Sequence, residues 1–262
     1  MTVLGFIGTG NMGGALARAA AKGDSRLLLA NRSPEKAAAL ARELGAEAAD
    51  NLKVVREAEF IFLGVKPQVL PALMESIKGE LAARKSPFVL VSMAAGIPIA
   101  RLRELAGGDY PVLRIMPNTP AAIGEGMILY AGAGLRAEDE ERFLLAMKGA
   151  GRFALLEERL IDAGSAVSGC GPAFVDMFIE ALADGGVACG LPRAKALELA
   201  AQMTAGSARL VLESGRHPGE LKDAVCSPGG TTIQGLRRLE ASGFRGAIIE
   251  AVIAAYEKNS KL

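Results

Sequence analysis

The stretch Val3-Leu4-Gly5-Phe6-Ile7-Gly8-Thr9-Gly10-Asn11-Met12-Gly13 decides how the rest of the chain is read. A strand-like apolar run, Val3–Ile7, enters three glycines spaced G-x-G-x-x-G, and a helix-like segment, Met12–Lys22, follows. Gly8 permits a tight turn, Gly10 lets a pyrophosphate approach the backbone, and Gly13 lets the helix pack on the strand. The helix start then offers unpaired N–H groups and a positive dipole end to phosphates. Three glycines can also fall this way by chance. Their place between the first strand and a helix makes Gly8, Thr9, Gly10, Asn11, Met12 and Gly13 a dinucleotide-binding turn.

Outward from that turn, short apolar runs alternate with helical patterns. Strands are predicted at Val3–Ile7, Leu27–Ala30, Phe60–Val65, Phe88–Met93, Val112–Met116, Met127–Ala131 and Phe153–Leu156. Between them helices are predicted at Pro34–Leu44, Gln68–Ile77, Pro98–Leu105 and Ala137–Gly149. This β-α-β alternation implies a mostly parallel sheet covered on both faces. From about Leu160 the texture changes to Ala, Gly, Leu and Met, with helices predicted over Ala173–Cys189, Arg193–Ser214, Gly219–Val225, Thr232–Ser242 and Arg245–Asn259. The expected fold is therefore α/β plus all-α, a doubly wound domain over residues 1–157 and a helical domain over residues 158–262. The small-residue stretch from Ala181 to Gly190 suits close helix packing, in a self-contained core or at a subunit interface.

The second strand bears on which dinucleotide is held. Folds that select NAD place an acid about 20 residues beyond the glycine turn, on the ribose 2′-hydroxyl. Here that place reads Asn31-Arg32-Ser33, with no acid before Glu35. A guanidinium and short polar donors bind a 2′-phosphate that a carboxylate would repel, so NADPH is favoured, with NADH a second candidate. Ser33 and Pro34 also read as the cap and first residue of the next helix, and both roles are compatible. Three further loops leave carboxyl ends of strands, where open sheets bind ligands. They are Gly64-Val65-Lys66-Pro67, Ser92-Met93-Ala94-Ala95-Gly96 and Met116-Pro117-Asn118-Thr119-Pro120. The small residues Ala94–Gly96 would let a flat nicotinamide lie on the backbone.

Bulk properties exclude other classes. Thirty basic and 29 acidic residues leave no global field to recruit nucleic acid or an anionic membrane. The chain enters a strand at once, with no signal-like segment, and no run of 18 apolar residues occurs. Ala247–Tyr256 reads as the most apolar helical stretch, interrupted by Glu250. Cys170, Cys189 and Cys226 are odd in number and widely spaced, which suggests neither disulfides nor a metal site. A reduced, cytoplasmic protein without membrane or nucleic-acid partners is expected. The sole histidine, His217, precedes Pro218 and reads as helix entry, because a lone histidine needs an orienting partner to act as acid or base.

That scarcity of acids and bases is itself informative. A carbonyl reductase must protonate a developing alkoxide. An iminium takes hydride at carbon and leaves nitrogen neutral, so no strong acid is needed at that step. Ser227-Pro228-Gly229-Gly230-Thr231-Thr232 gathers hydroxyl and N–H donors at a helix start, a site for a small carboxylate or merely an ordinary capped helix.

Gly5–Gly13, Val65-Lys66-Pro67-Gln68, Ala94-Ala95-Gly96, Met116–Pro120, Ser168-Gly169 with Gly171-Pro172-Ala173, Ala181–Val187 and Ser227–Thr232 resemble, in this order, the pyrroline-5-carboxylate reductases. The resemblance spans essentially the whole chain. It implies an amino-terminal Rossmann domain, a helical domain forming an interlocked homodimer, sometimes a decamer, and NAD(P)H-dependent reduction of pyrroline-5-carboxylate to proline. It further implies Asn31, Arg32 and Asn51 near the ribose phosphate. Val65, Lys66, Ala94, Ala95, Gly96 and Asn118 fall on the nicotinamide side. Ser227, Gly230, Thr231 and Thr232 would grip the substrate carboxylate, with Gly229 in the same turn, and the Thr232 hydroxyl next to the ring nitrogen is the nearest thing to a catalytic group. The chain departs from the family at Cys170, Phe174 and Cys226, where hydroxyl-bearing residues are usual, and its thiols are expected to be buried and inert. Two rivals remain. A related cyclic imine reductase or hydroxyacid dehydrogenase shares the glycine turn, but the dehydrogenases need a lysine that Ser168–Asp184 lacks. A non-catalytic NADP(H) sensor would have a damaged substrate loop, and this one is intact.

Overall fold

A computed structural model describes residues 1–259. Eight strands form one sheet in the order β3-β2-β1-β4-β5-β6-β7-β8, parallel except for the antiparallel pair β6–β7. The strands are β1 Val3–Ile7, β2 Arg26–Ala30, β3 Glu47–Ala48, β4 Phe60–Leu63, β5 Val89–Ser92, β6 Val112–Met116, β7 Gly126–Ala133 and β8 Gly151–Leu155. The helices between them are α1 Asn11–Ala20, α2 Pro34–Leu44, α3 Asn51–Glu57, α4 Leu70–Ala83, α5 Ile99–Ala106 and α6 Ala137–Met147, and α7 Ile161–Ser168 follows β8.

Strand alternation sorts the core into two layers. Leu4 and Phe6 of β1 join Phe60 and Phe62 of β4 under Leu16 of α1 and Phe143 of α6. On the other face Ile7, Ile61 and Leu63 meet Val54 of α3, Met74 of α4, Leu102 of α5 and Ile161 of α7. Each such fully buried side chain contributes roughly 1.5–3 kcal/mol. Both faces are covered, as expected for a doubly wound sheet. The strand order reverses at β1, between β2 and β4, and that switch point opens a crevice at the strands' carboxyl ends.

Three elements went unread in the sequence. The two-residue β3 exists only through its pairing with Leu28 and Leu29 of β2, so no local pattern announces it. α3 is short and capped by Asp50, whose carboxylate accepts from the Lys53 N–H at 2.6 Å. α7 lies where the composition already looks like the helical half, yet Ile161 is fully buried in the α/β core.

The chain forms two compact units, cut after Cys170, and the end of the chain from Ala255 counts with the first. The composition change at residues 157/158 therefore precedes the packing boundary, because α7 belongs to the sheet. The second unit holds α8 Gly171–Ala188, α9 Arg193–Ser214, α10 Pro218–Ala224, α11 Thr231–Ala241 and most of α12 Phe244–Asn259. Its buried apolar side chains are Ala183, Ala196 and Ala200, with Ile179 and Val187 packed partly against them. Met177 is 66% exposed, Leu212 65% and Ile249 57%. Among the described residues one helical run, Glu158–Ala188, is long and apolar enough to cross a bilayer by length and composition. Its acids are spaced widely among small residues, which hides the run from a search for consecutive apolar positions.

Candidate active site

The crevice at the switch point has a volume of about 1000 Å³ and is lined by Gly8, Thr9, Gly10, Asn11, Asn31, Arg32, Ser33, Asn51, Val65 and Lys66 among others. Gly8 to Asn11, Asn31, Arg32, Ser33 and Asn51 are the residues expected around the pyrophosphate and the adenosine ribose, and Val65 and Lys66 are ones expected on the nicotinamide side. Gly8 has φ 100°, and a Cβ there would lie 2.4 Å from the Gly64 carbonyl oxygen. A Cβ on Gly13 would lie 2.1 Å from the Gly8 oxygen, so helix and turn touch backbone to backbone. Gly10, by contrast, faces open space with nothing within 4 Å, as a ligand-approach position should. It is also the N-cap of α1 and makes no side-chain cap bond, leaving the first N–H groups of the helix to face the crevice.

The turn is tied to the second strand. Asn31 Nδ2 donates to Thr9 Oγ1 at 3.0 Å, and Asn31 Oδ1 accepts from the Ser33 N–H at 3.4 Å. Ser33 is the N-cap of α2 with Pro34 in the first turn, yet its side chain makes no cap bond. Its hydroxyl is therefore not consumed by the helix.

Sequence reasoning missed Arg18 and Lys36, which also line the crevice. With Arg32 and Lys66 they make four cations, and no carboxylate appears among the described lining residues. Arg18 is committed to Glu43, with bonds of 2.6 and 2.8 Å. Among the described residues Arg32 and Lys36 have no ion-pair partner. Lys36 was legible as the third residue of α2, but only the strand-to-helix turn brings it beside Arg32. An adjoining hollow of about 820 Å³ shares Asn31, Asn51 and Ser76 and has apolar walls from Ala37, Ala48, Leu52 and Ile77.

Other expected residues lie outside this crevice. Met12 and Gly13 are in the first turn of α1, behind the loop, and Pro67 opens the 3-10 turn ahead of α4. Ala94 is 1% exposed and packs in the core, while Ala95 and Gly96 are half-buried on the loop after β5. Asn118 is 8% exposed and its amide is committed to the fold. It donates to the Ser168 carbonyl at 2.9 Å and accepts from the Met127 N–H at 2.9 Å.

In the helical unit, Gly229 has φ 71° and the Gly230 N–H bonds the Ser227 carbonyl at 3.0 Å, closing a turn onto α11. Gly230 is the N-cap, so the threonines do not cap the helix as the ordinary reading would have them. Thr231 and Thr232 occupy its first turn, and with Ser227 they are exposed. Hydroxyls and first-turn N–H groups thus share one helix start. His217 caps α10, with Nδ1 accepting from the Gly219 N–H at 3.1 Å, which is the helix-entry role expected of it. The thiols are not buried: Cys189 is exposed, and Cys170 and Cys226 are intermediate. Small neighbours leave them uncovered within this chain.

Residues 158–262 match the family description "Pyrroline-5-carboxylate reductase dimerisation", and residues 3–96 match "NADP oxidoreductase coenzyme F420-dependent". The chain is 42% identical over 265 residues to the pyrroline-5-carboxylate reductase of Escherichia coli K12, covering 99% of this chain and 97% of that one. It is 40% identical to the Pisum sativum protein of the same name, covering 99% and 95%. The crystal structure of Plasmodium falciparum pyrroline carboxylate reductase with NADP bound superimposes with a TM-score of 0.88 at 32% identity, covering 99% of this chain and 97% of that one. Likeness of this degree, carried from the glycine turn through the last helix, goes well beyond a shared fold, and the chain belongs to the pyrroline-5-carboxylate reductase family.

Proposed function

We propose that this protein reduces 1-pyrroline-5-carboxylate to L-proline at the expense of NADPH, the final step of proline biosynthesis. The observation that carries the reading is 42% identity to a reductase of that name along 99% of the chain. The crevice supports the coenzyme choice: four cations and no described acid suit a dinucleotide with an additional phosphate. In this reading the turn Gly8–Gly13 and the start of α1 hold the pyrophosphate. Asn31, Arg32, Ser33 and Lys36 surround the 2′-phosphate, with Asn51 beside the ribose. The apolar hollow beyond takes the adenine. Val65, Lys66, Pro67, Ala94, Ala95, Gly96 and the backbone at Asn118 border the nicotinamide. Bound there, the coenzyme supplies a hydride.

Ser227, Gly229, Gly230, Thr231 and Thr232 hold the substrate carboxylate, through hydroxyls and first-turn N–H groups that need no charged residue. When the substrate is the protonated iminium, its carbon gains hydride and the C=N π electrons become the nitrogen lone pair of a neutral amine, so no acid is needed at that step. The Thr232 hydroxyl orients the ring nitrogen and, when the imine arrives neutral, relays a proton to it from water, taking one from solvent as it gives its own.

The helical unit pairs with a second copy. Three buried alanines cannot offset the ordering of these helices, since fixing each residue's backbone costs about 1–2 kcal/mol. The match to a dimerisation family over residues 158–262 supports the same partner for its exposed apolar residues. Protein, rather than lipid, covers Glu158–Ala188, because Asp162, Asp176, Glu180 and Asp184 recur along it and one acid at a bilayer centre costs about 2.5–3.5 kcal/mol. Three unpaired thiols suit a reducing compartment, the cytoplasm.

The test is the decay of nicotinamide absorbance with purified protein, NADPH and pyrroline-5-carboxylate, with proline quantified and particle size measured. Stoichiometric proline is expected, from a particle of at least two copies. NADPH binding without oxidation would sink the substrate assignment and favour a sensor, and turnover of a different imine only would favour the allied reductase.

A further inference from the structure

Arg114 stands in the middle of β6 with its side chain 4% exposed. A guanidinium at a buried sheet position is costly unless carboxylates surround it, whereas an aliphatic residue would fill the place without penalty. Arg114 Nη2 donates to Asp162 Oδ1 at 2.6 Å, and Nη1 lies 3.5 Å from Glu158 Oε1. Its Nε finds no partner among the described residues. Asp162 Oδ1 also accepts from Asn259 Nδ2 at 3.2 Å.

Glu158 carries the charge pair further. Its Oε1 accepts from the N–H of Ile99 at 2.6 Å, at the first residue of α5. The N-cap there is Pro98, which makes no side-chain cap bond, so Glu158 from a distant part of the chain supplies the acceptor. Immediately ahead lies Ala94-Ala95-Gly96-Ile97-Pro98. Two alanines and a glycine give that loop no polar side chain with which to hold itself in place. Its entry is fixed by β5, and its exit by the bond from Ile99 to Glu158.

We propose that Arg114 and Glu158 are positioning residues for hydride transfer, fixing the Ala94–Pro98 loop at the reacting end of the coenzyme without touching coenzyme or substrate. The inference rests on the proposed function for the assignment of that loop to the nicotinamide. A buried cation holds Glu158, Glu158 holds the start of α5, and α5 holds the loop. Reaction geometry is sensitive to such support, since displacement by about 1 Å can cost on the order of 100-fold in rate.

Glu158 is the residue to change, because its side chain is 34% exposed and its loss opens no cavity. Glu158→Ala removes both the acceptor for Ile99 and one of the two carboxylates beside Arg114, leaving Asp162 in place. Glu158→Gln keeps an oxygen acceptor and loses only the charge. In Glu158→Ala, kcat should fall about 10- to 100-fold, with the Kd for NADPH, dominated by the phosphate contacts, within about twofold. Glu158→Gln should recover most of kcat. Amide hydrogen exchange over residues 94–99 should quicken in Glu158→Ala, a readout that needs no turnover. Wild-type protein inactive on pyrroline-5-carboxylate, with exchange still quickened in the variant, would overturn the reaction assignment and leave the anchoring of the loop intact. Unchanged kcat and exchange in Glu158→Ala would overturn the proposal. So would a parallel loss of kcat, coenzyme affinity and melting temperature, which a general structural role would produce.

Discussion

Asn31 at the end of β2 donates to the Thr9 hydroxyl in the turn after β1, across 3.0 Å, and so fixes the spacing between the pyrophosphate turn and the ribose end of the crevice. Asn31→Asp keeps a group that can bond Thr9 but puts a carboxylate into a crevice whose described lining has none. NADPH affinity should drop about tenfold or more, corresponding to roughly 1.4 kcal/mol, while NADH affinity changes little. Titration of both coenzymes by fluorescence checks the ratio, and an equal loss for both would argue against a 2′-phosphate at this position.

Of the crevice cations with no carboxylate partner among the described residues, Arg32, Lys36 and Lys66, the first two stand where the 2′-phosphate is proposed. Replacing either by Met should raise the Kd for NADPH about 5- to 30-fold, as expected for one charge-assisted contact of roughly 1–2 kcal/mol. The Kd for NADH should stay near the wild-type value. Added salt should weaken NADPH binding less in the variants than in the parent.

Gly10 and Gly13 separate ligand space from packing space. Gly13→Ala drives a Cβ against the Gly8 carbonyl and should destabilise the protein by about 1–3 kcal/mol. Gly10→Ala meets no protein atom within 4 Å, so its melting temperature should move by no more than about 3 °C while coenzyme binding weakens severely. Differential scanning fluorimetry with and without NADPH distinguishes the two, and a cold-stable Gly10→Ala that binds normally would remove the pyrophosphate from this turn.

Thr232 lies in the exposed first turn of α11 and supports no cap bond there. Thr232→Ala should therefore fold as the parent does and lower kcat about 10- to 100-fold, the scale of a lost proton-handling group. Thr232→Ser should restore most of it. If the alanine variant raised only KM, Thr232 would be a carboxylate ligand and not an orienting group at nitrogen.

Asp139, nearly buried in the first turn of α6, accepts from Arg136 Nε at 2.8 Å and Nη2 at 2.7 Å. The Arg136 hydrogen bonds hold its carboxyl below the usual aspartate range, against the opposing effect of burial. A depressed folded-state value means that the stabilisation is complete above the unfolded value of about 3.9 and is lost as pH falls through the folded one. Asp139→Asn should lower the melting temperature at pH 7 and narrow its gap to the parent near pH 3. Thermal melts at the two pH values test this, and a gap that widened in acid would reverse the assignment.

What could be read in the chain by itself was whatever repeats locally. Short apolar runs announced β1, β2, β4 and β6, and the glycine spacing located the phosphate turn, because both depend only on neighbours in sequence. His217 before Pro218 read as helix entry for the same reason. Tertiary structure decided what depends on distant partners. The two-residue β3 forms only against β2, and β7 runs antiparallel to β6 because of how it pairs, not because of its composition. Asn118 is expected on the nicotinamide side from its loop, but only the fold shows that its side-chain amide bonds the Ser168 carbonyl and the Met127 N–H. Arg18 was already neutralised by Glu43, leaving Lys36 to stand with Arg32 in the crevice. A side chain's type states which bonds it can make. Only the folded chain determines which of them are already made, because the competing partners come from segments tens of residues away.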